Sequence, residues 1–122
     1  MKLKNVAVLV VEDDAENRAS MEAALRSEGA LVKSAASADE AVALLSKRWR
    51  PSVLVSDLGL PNEGGCSMMR RIRKMGIKAP ALAITGGAGE PREAFLAGFQ
   101  LHVSKPFRHE TLVRMIETLG GG

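Results

Sequence analysis

Three acids, a hydroxyl and an ammonium group each stand at the end of a short, mainly apolar run in this chain of 122 residues. The runs are Val6 to Val11 before Glu12 and Asp13, Val53 to Ser56 before Asp57, Ala81 to Ile84 before Thr85, and Leu101 to Ser104 before Lys105. Carboxylates brought to one spot raise one another's pKa values unless a cation sits among them. Their hard oxygens suit Mg²⁺, which takes one or two carboxylates together with phosphate oxygens and water. A lysine and a threonine facing the same spot are the groups that would bind a phosphoryl carried by Asp57. A carboxylate is a workable nucleophile for that transfer, because the transition state is loose and needs mainly positioning and charge neutralisation. Each residue alone also has a plainer reading. Asp57 could open a turn, Glu12 could be a strand-end acid, Thr85 could satisfy backbone, Lys105 could be solvated, and Asp14 could serve only as a helix cap.

The elements around these residues decide whether they meet. A continuous β-branched and aliphatic run such as Val53-Leu54-Val55 reads as a strand buried on both faces, and Gly59 and Pro61 break it just after Asp57. Val6–Val11, Leu31–Ser34, Ala81–Ile84 and Leu101–Ser104 are the other strands. Between them lie helices, the first capped by Asp14, carrying Met21, Ala24 and Leu25 inward and stopping at Gly29. Ser37 and Glu40 have capping-box spacing and open the second, which packs through Ala41, Val42, Leu44 and Leu45. The third covers Gly65 to Met75 with Met68, Met69 and Ile72 inward and Gly76 as its stop. A short fourth runs from about Pro91 to Ala97, and a fifth from His109 to Leu119 buries Leu112, Val113 and Ile116. Five strands alternating with five helices predict a parallel sheet with helices on both faces, joined by right-handed crossovers. All the polar strand ends then share one edge, where ligands of open α/β sheets bind.

Composition narrows the class. Hydrophobic residues at 46% and charged residues at 25% fit a soluble globular protein, and the length predicts one domain over residues 1–122, with its core in 6–119 and a glycine tail at 120–122. No apolar run reaches the roughly 18 residues of a membrane span, so no membrane insertion and a cytoplasmic location are expected. Cys66, alone, reads as a small buried hydrophobe. Basic residues gather in Lys47-Arg48-Trp49-Arg50 and Arg70-Arg71-Ile72-Arg73-Lys74, read as solvated helix faces. With aromatics at 3%, no stacking platform for single strands is visible, and no direct nucleic-acid contact is expected. Gly86-Gly87-Ala88-Gly89 lacks the Gly-Lys-Ser/Thr ending of a phosphate loop and reads as a flexible connection.

Taken together and in order, Val10-Val11-Glu12-Asp13-Asp14, Ser56-Asp57-Leu58-Gly59-Leu60-Pro61, Ile84-Thr85-Gly86 and Val103-Ser104-Lys105-Pro106-Phe107 resemble the motifs of the bacterial response-regulator receiver domain, over Val6 to about Leu119. The resemblance implies a flavodoxin-like three-layer α/β/α fold with a five-stranded parallel sheet of order 2-1-3-4-5. It implies that Asp57 accepts a phosphoryl group from the phosphohistidine of a histidine kinase or phosphotransfer protein. Glu12, Asp13, Asp57 and the Gly59 carbonyl would hold Mg²⁺, Thr85 would hydrogen-bond the phosphoryl group and Lys105 would pair with it. A cis peptide is expected before Pro106. Self-phosphorylation and slow loss of the phosphoryl would be its only chemistry. A conformational equilibrium would carry the signal, through the face made by the fourth helix, fifth strand and fifth helix, to an output protein or fused domain.

Several positions depart from the family's usual pattern. His102 stands where an aromatic switch residue is usual, Gly64 replaces an acid, and the stretch from Thr85 to Gly98 is a residue or two short, which predicts a short or displaced fourth helix. Gly59 and Gly87, two after Asp57 and two after Thr85, flank the family's route for attacking water and offer no side chain to obstruct it. Ala97 to Pro106 is similar to receivers fused to hybrid histidine kinases, so a stand-alone regulator and a piece of such a kinase both remain open. Three other readings differ in class. An aspartate-dependent phosphatase would place a second aspartate where Gly59 stands, a flavin binder would need an aromatic pair, and a degenerate scaffold would lack part of the acidic, threonine and lysine set.

Overall fold

The computed structural model describes residues 1–87 and 90–120. Five strands, β1 (Ala7–Val11), β2 (Leu31–Ala35), β3 (Val53–Asp57), β4 (Ala81–Thr85) and β5 (Leu101–Ser104), form one parallel sheet in the order β2-β1-β3-β4-β5. Five helices alternate with them: α1 (Ala15–Ser27), α2 (Ala38–Leu45), α3 (Gly65–Lys74), α4 (Glu90–Ala97) and α5 (His109–Leu119). The expected fold and strand order are therefore present.

Strand alternation divides the core in two, because successive side chains leave opposite faces of the sheet. Leu9, Val11, Leu54, Ala81 and Ala83 face one cluster, shared with Ala41 and Leu45 of α2, Met68, Met69 and Ile72 of α3, and Ala94 and Ala97 of α4. Val8, Val10, Val53, Val55, Leu82 and Ile84 face the other, closed by Met21 and Leu25 of α1 and by Leu112, Val113 and Ile116 of α5. Both faces being covered is why the central strands read as unbroken apolar runs.

The helix signals act as their chemistry requires. Asp14 Oδ2 accepts the Asn17 N–H at 2.9 Å and Ser37 Oγ accepts the Glu40 N–H at 3.2 Å, each satisfying a donor that the first helical turn leaves free. Gly29, Gly76 and Gly98 all have positive φ, the left-handed conformation in which a side chain is strained. Gly65 matters for a different reason. A Cβ there would lie 2.7 Å from the Asp57 carbonyl oxygen and 2.9 Å from Leu58 Cα, so only glycine lets α3 begin directly against the end of β3.

Some boundaries differ from the sequence reading. β1 begins at Ala7, β2 extends to Ala35, and α4 opens at Glu90, eight residues long as its short connection predicted. Cys66 is half-buried at the rim of the core instead of inside it. Gly120 closes α5, its N–H donating to the Ile116 carbonyl at 2.7 Å, whereas Gly121 and Gly122 of the expected tail, and Ala88 and Gly89 of the expected loop, lie outside the described residues. Part of the basic clusters is internally engaged: Arg71 pairs with Asp39 and Glu63, and Arg73 donates to the carbonyls of Ile77 and Gly98. Among the described residues no helix is long and apolar enough to cross a membrane.

Candidate functional site

Register brings the strand ends together. Val11 pairs with Ser56, Asp57 with Ile84, and Thr85 with Ser104, so the residues that follow each strand emerge side by side at one edge. Glu12 is anchored by its N–H to the Ala35 carbonyl at 3.0 Å, Leu58 by its N–H to Ile84 at 3.1 Å, and Lys105 by its N–H to Thr85 at 2.9 Å. The Lys105–Pro106 peptide bond is cis.

Asp57 is 5% exposed, and both of its oxygens are engaged. Oδ1 accepts the Gly59 N–H at 2.8 Å and Oδ2 accepts Lys105 Nζ at 2.5 Å. Glu12 is buried and Asp13 exposed, and one carboxylate oxygen from each of Glu12, Asp13 and Asp57 lies within 4.8 Å of the other two. Burial, and then the charge of Asp57, push the Glu12 carboxyl above its usual range. The hydrogen bond to Asp57 pushes the Lys105 ammonium up against the opposing effect of its own burial. One ammonium among three acids leaves the edge short of positive charge.

Thr85 is buried at the end of β4, and its hydroxyl is held by β5: it donates to the Val103 carbonyl at 3.4 Å and meets Ser104 Oγ at 3.4 Å. No hydrogen bond joins this hydroxyl to Asp57 or Lys105 among the described residues. His102 is apart from the acidic cluster, exposed on β5 in a small groove shared with Pro91, Phe95 and Phe99. Gly59 lies beside the carboxylate, where a Cβ would stand 3.5 Å from Asp57 Oδ1, an ordinary contact. A cleft of about 300 Å³ opens next to Glu12 and Lys105 between α1 and α5, bridged by Ser20 Oγ and His109 Nε2 at 3.2 Å.

Two contributors escape sequence reasoning because they act on backbone atoms. Arg18 Nη1 donates to the Glu12 carbonyl at 2.9 Å and to the Asp13 carbonyl at 3.5 Å, steadying the segment that carries both acids; the only hint is its place one turn beyond the Asp14 cap. Glu90 Oε2 accepts the N–H groups of Gly86, at 2.6 Å, and of Gly87. Its spacing of three from Gly87, at the start of a helix, resembles a cap.

Comparison with known proteins agrees with this architecture. Residues 8–117 match the model of the response regulator receiver domain family. An uncharacterized 14.6 kDa protein of Leptolyngbya boryana is 37% identical over 119 residues, covering 94% of this chain and 90% of that one. The virulence transcriptional regulatory protein PhoP of Salmonella typhimurium is 35% identical over 114 residues, 92% of this chain; the chain spans half the length of PhoP. The receiver domain of sensor histidine kinase PA1611 of Pseudomonas aeruginosa, whose structure has a magnesium ion in the active-site cleft, is 32% identical with a TM-score of 0.86, covering 97% of this chain and 99% of that one. By its sequence and its fold alike, this chain belongs to the response regulator receiver domain family, the signalling module of two-component systems.

Proposed function

We propose that this receiver takes a phosphoryl group onto Asp57 from the phosphohistidine of a histidine kinase or phosphotransfer protein, and passes the resulting conformational change to an output protein or fused domain. One observation carries the reading. Asp57 is buried with each oxygen oriented by a separate donor, Gly59 N–H and Lys105 Nζ, within 4.8 Å of two further acids. The three-carboxylate donor set fits a hard divalent cation, and Glu12, Asp13, Asp57 and the Gly59 carbonyl would hold Mg²⁺. Bound there, the ion supplies positive charge to the phosphoryl oxygens and offsets repulsion among the acids.

The chain's own residues do the rest. The Gly59 and Lys105 contacts fix the carboxylate for in-line attack, in which an Asp57 oxygen bonds to phosphorus as the phosphorus–imidazole bond breaks. The carboxylate charge is used in the new O–P bond, the electron pair of the broken bond stays on the imidazole nitrogen, which takes up a proton from water, and Lys105 moves to the negative phosphoryl oxygens as counter-ion. Thr85, at the end of β4 with its hydroxyl held by Val103 and Ser104 of β5 at rest, is the residue that turns to the new anion and starts the switch, with His102 of β5 as the second switch residue. We read residues 1–122 as one receiver domain acting in the cytoplasm.

Incubation with acetyl phosphate or phosphoramidate and Mg²⁺ should add the mass of one phosphoryl group, and chelation of the metal should prevent it. Asp57→Asn should abolish the addition. Undiminished labelling of that variant would overturn the assignment.

A further inference from the structure

Thr85 is followed by two glycines whose backbone N–H groups converge on a single oxygen, Glu90 Oε2, the Gly86 contact measuring 2.6 Å. Successive backbone N–H groups aimed at one point make an anion-binding concavity, and here the protein's own carboxylate fills it. The absence of side chains lets it in, since a Cβ on Gly87 would stand 3.3 Å from that oxygen. Glu90 is also the first residue of α4, so the contact ties the helix to the end of β4. The Thr85 hydroxyl, one residue away, is satisfied by Val103 and Ser104 of β5. The end of β4 is thus complete without any ligand. Thr85, on the strand beside Asp57, directly precedes Gly86, so any backbone shift that brings Thr85 toward an anion on Asp57 works against the Glu90 contacts.

We propose that Glu90, through the Gly86 and Gly87 amides, is a positioning residue that holds these two glycines, at the end of β4, in their resting arrangement and lets go when a phosphoryl group forms on Asp57. The inference rests on the phosphoacceptor reading of Asp57. A new anion at the same sheet edge repels the Glu90 carboxylate and competes for the same donors, so the resting arrangement loses where the activated one gains. Release of Glu90 frees the first turn of α4, the helix that carries the exposed Phe95 and Leu96.

The test titrates the whole chain with beryllofluoride and Mg²⁺, followed by amide NMR. In wild type, the Gly86 and Gly87 amide resonances should be among those that move most, because their acceptor changes. Glu90→Ala should bind beryllofluoride about threefold to tenfold more tightly, the loss of one or two exposed hydrogen bonds from the resting state, and Glu90→Gln, which keeps an uncharged acceptor, should fall between. Equal affinity in wild type and both variants, with Gly86 and Gly87 unmoved, would overturn the inference while leaving Asp57 as phosphoacceptor. A wild type that does not respond to beryllofluoride at all would overturn both.

Discussion

At Asp57 the two oxygens have unlike partners, a backbone N–H from Gly59 and the ammonium of Lys105, and the difference has consequences. Lys105 neutralises the carboxylate at rest, so it competes with any cation drawn to Glu12, Asp13 and Asp57. We expect Lys105→Met to bind Mg²⁺ a few-fold more tightly by calorimetry, yet to acquire a phosphoryl group from acetyl phosphate at least tenfold more slowly, because the developing charge loses its counter-ion. Weaker Mg²⁺ binding in that variant would contradict the competition. Gly59 sets a second expectation. A side chain can be built there in ordinary contact with Asp57 Oδ1, so Gly59→Met should fold and should lengthen the phosphoryl lifetime severalfold by obstructing water. An identical decay curve would show that water arrives by another route. The acids, Thr85 and Lys105 were legible in the sequence because each ends an apolar run. Arg18 and Glu90 were not, since they act on backbone carbonyls and N–H groups, which no side-chain pattern reveals.

Strands were the most legible elements, their apolar runs continuous because both faces are covered. Helix starts followed from Asp14 and Ser37, whereas the start of α4 came one residue earlier than expected, at the residue that reaches back to Gly86 and Gly87. The strand order is a different matter. Periodicity gave a parallel sheet, and only the family resemblance supplied the order that the structure has. β5 carries His102, which is exposed at rest beside Phe95 and Phe99 and which we propose as the second switch residue. We expect the His102 ring resonances to move on addition of beryllofluoride and Mg²⁺, followed by NMR, and His102→Phe to keep the response of the surrounding β5 amides. Ring resonances that do not move would remove this residue from the switch.

Across the whole molecule, two independent apolar layers hold the sheet, and the acidic edge works against them. The sign follows from the two displaced groups. Glu12 is raised above its ordinary 4.5, mainly by burial, so the folded state holds its proton more tightly than the unfolded chain does. That contribution is full below about 4.5 and is lost as pH rises through the raised folded value. Lys105 is raised above 10.5 by its bond to Asp57; its contribution is full below that figure and is lost only in alkali, as pH climbs through the raised value. Near neutrality the Lys105 contribution is therefore intact, and its one ammonium faces three acids at the edge. A divalent cation that binds the ionised acids stabilises by mass action, by about 2.7 kcal/mol at one hundred times its dissociation constant, which for a domain of this size corresponds to a rise of about 10 °C in Tm. Protons compete with the metal for the same oxygens, so the rise should shrink in acid. Thermal unfolding followed by circular dichroism, with and without Mg²⁺, should give a clearly larger increment at pH 8 than at pH 5. Asp13→Asn, which removes one carboxylate from the acidic cluster and leaves the core untouched, should give a smaller increment than wild type at pH 8. Equal increments at the two pH values, or an undiminished one in Asp13→Asn, would mean that the cation stabilises the fold from somewhere other than this edge.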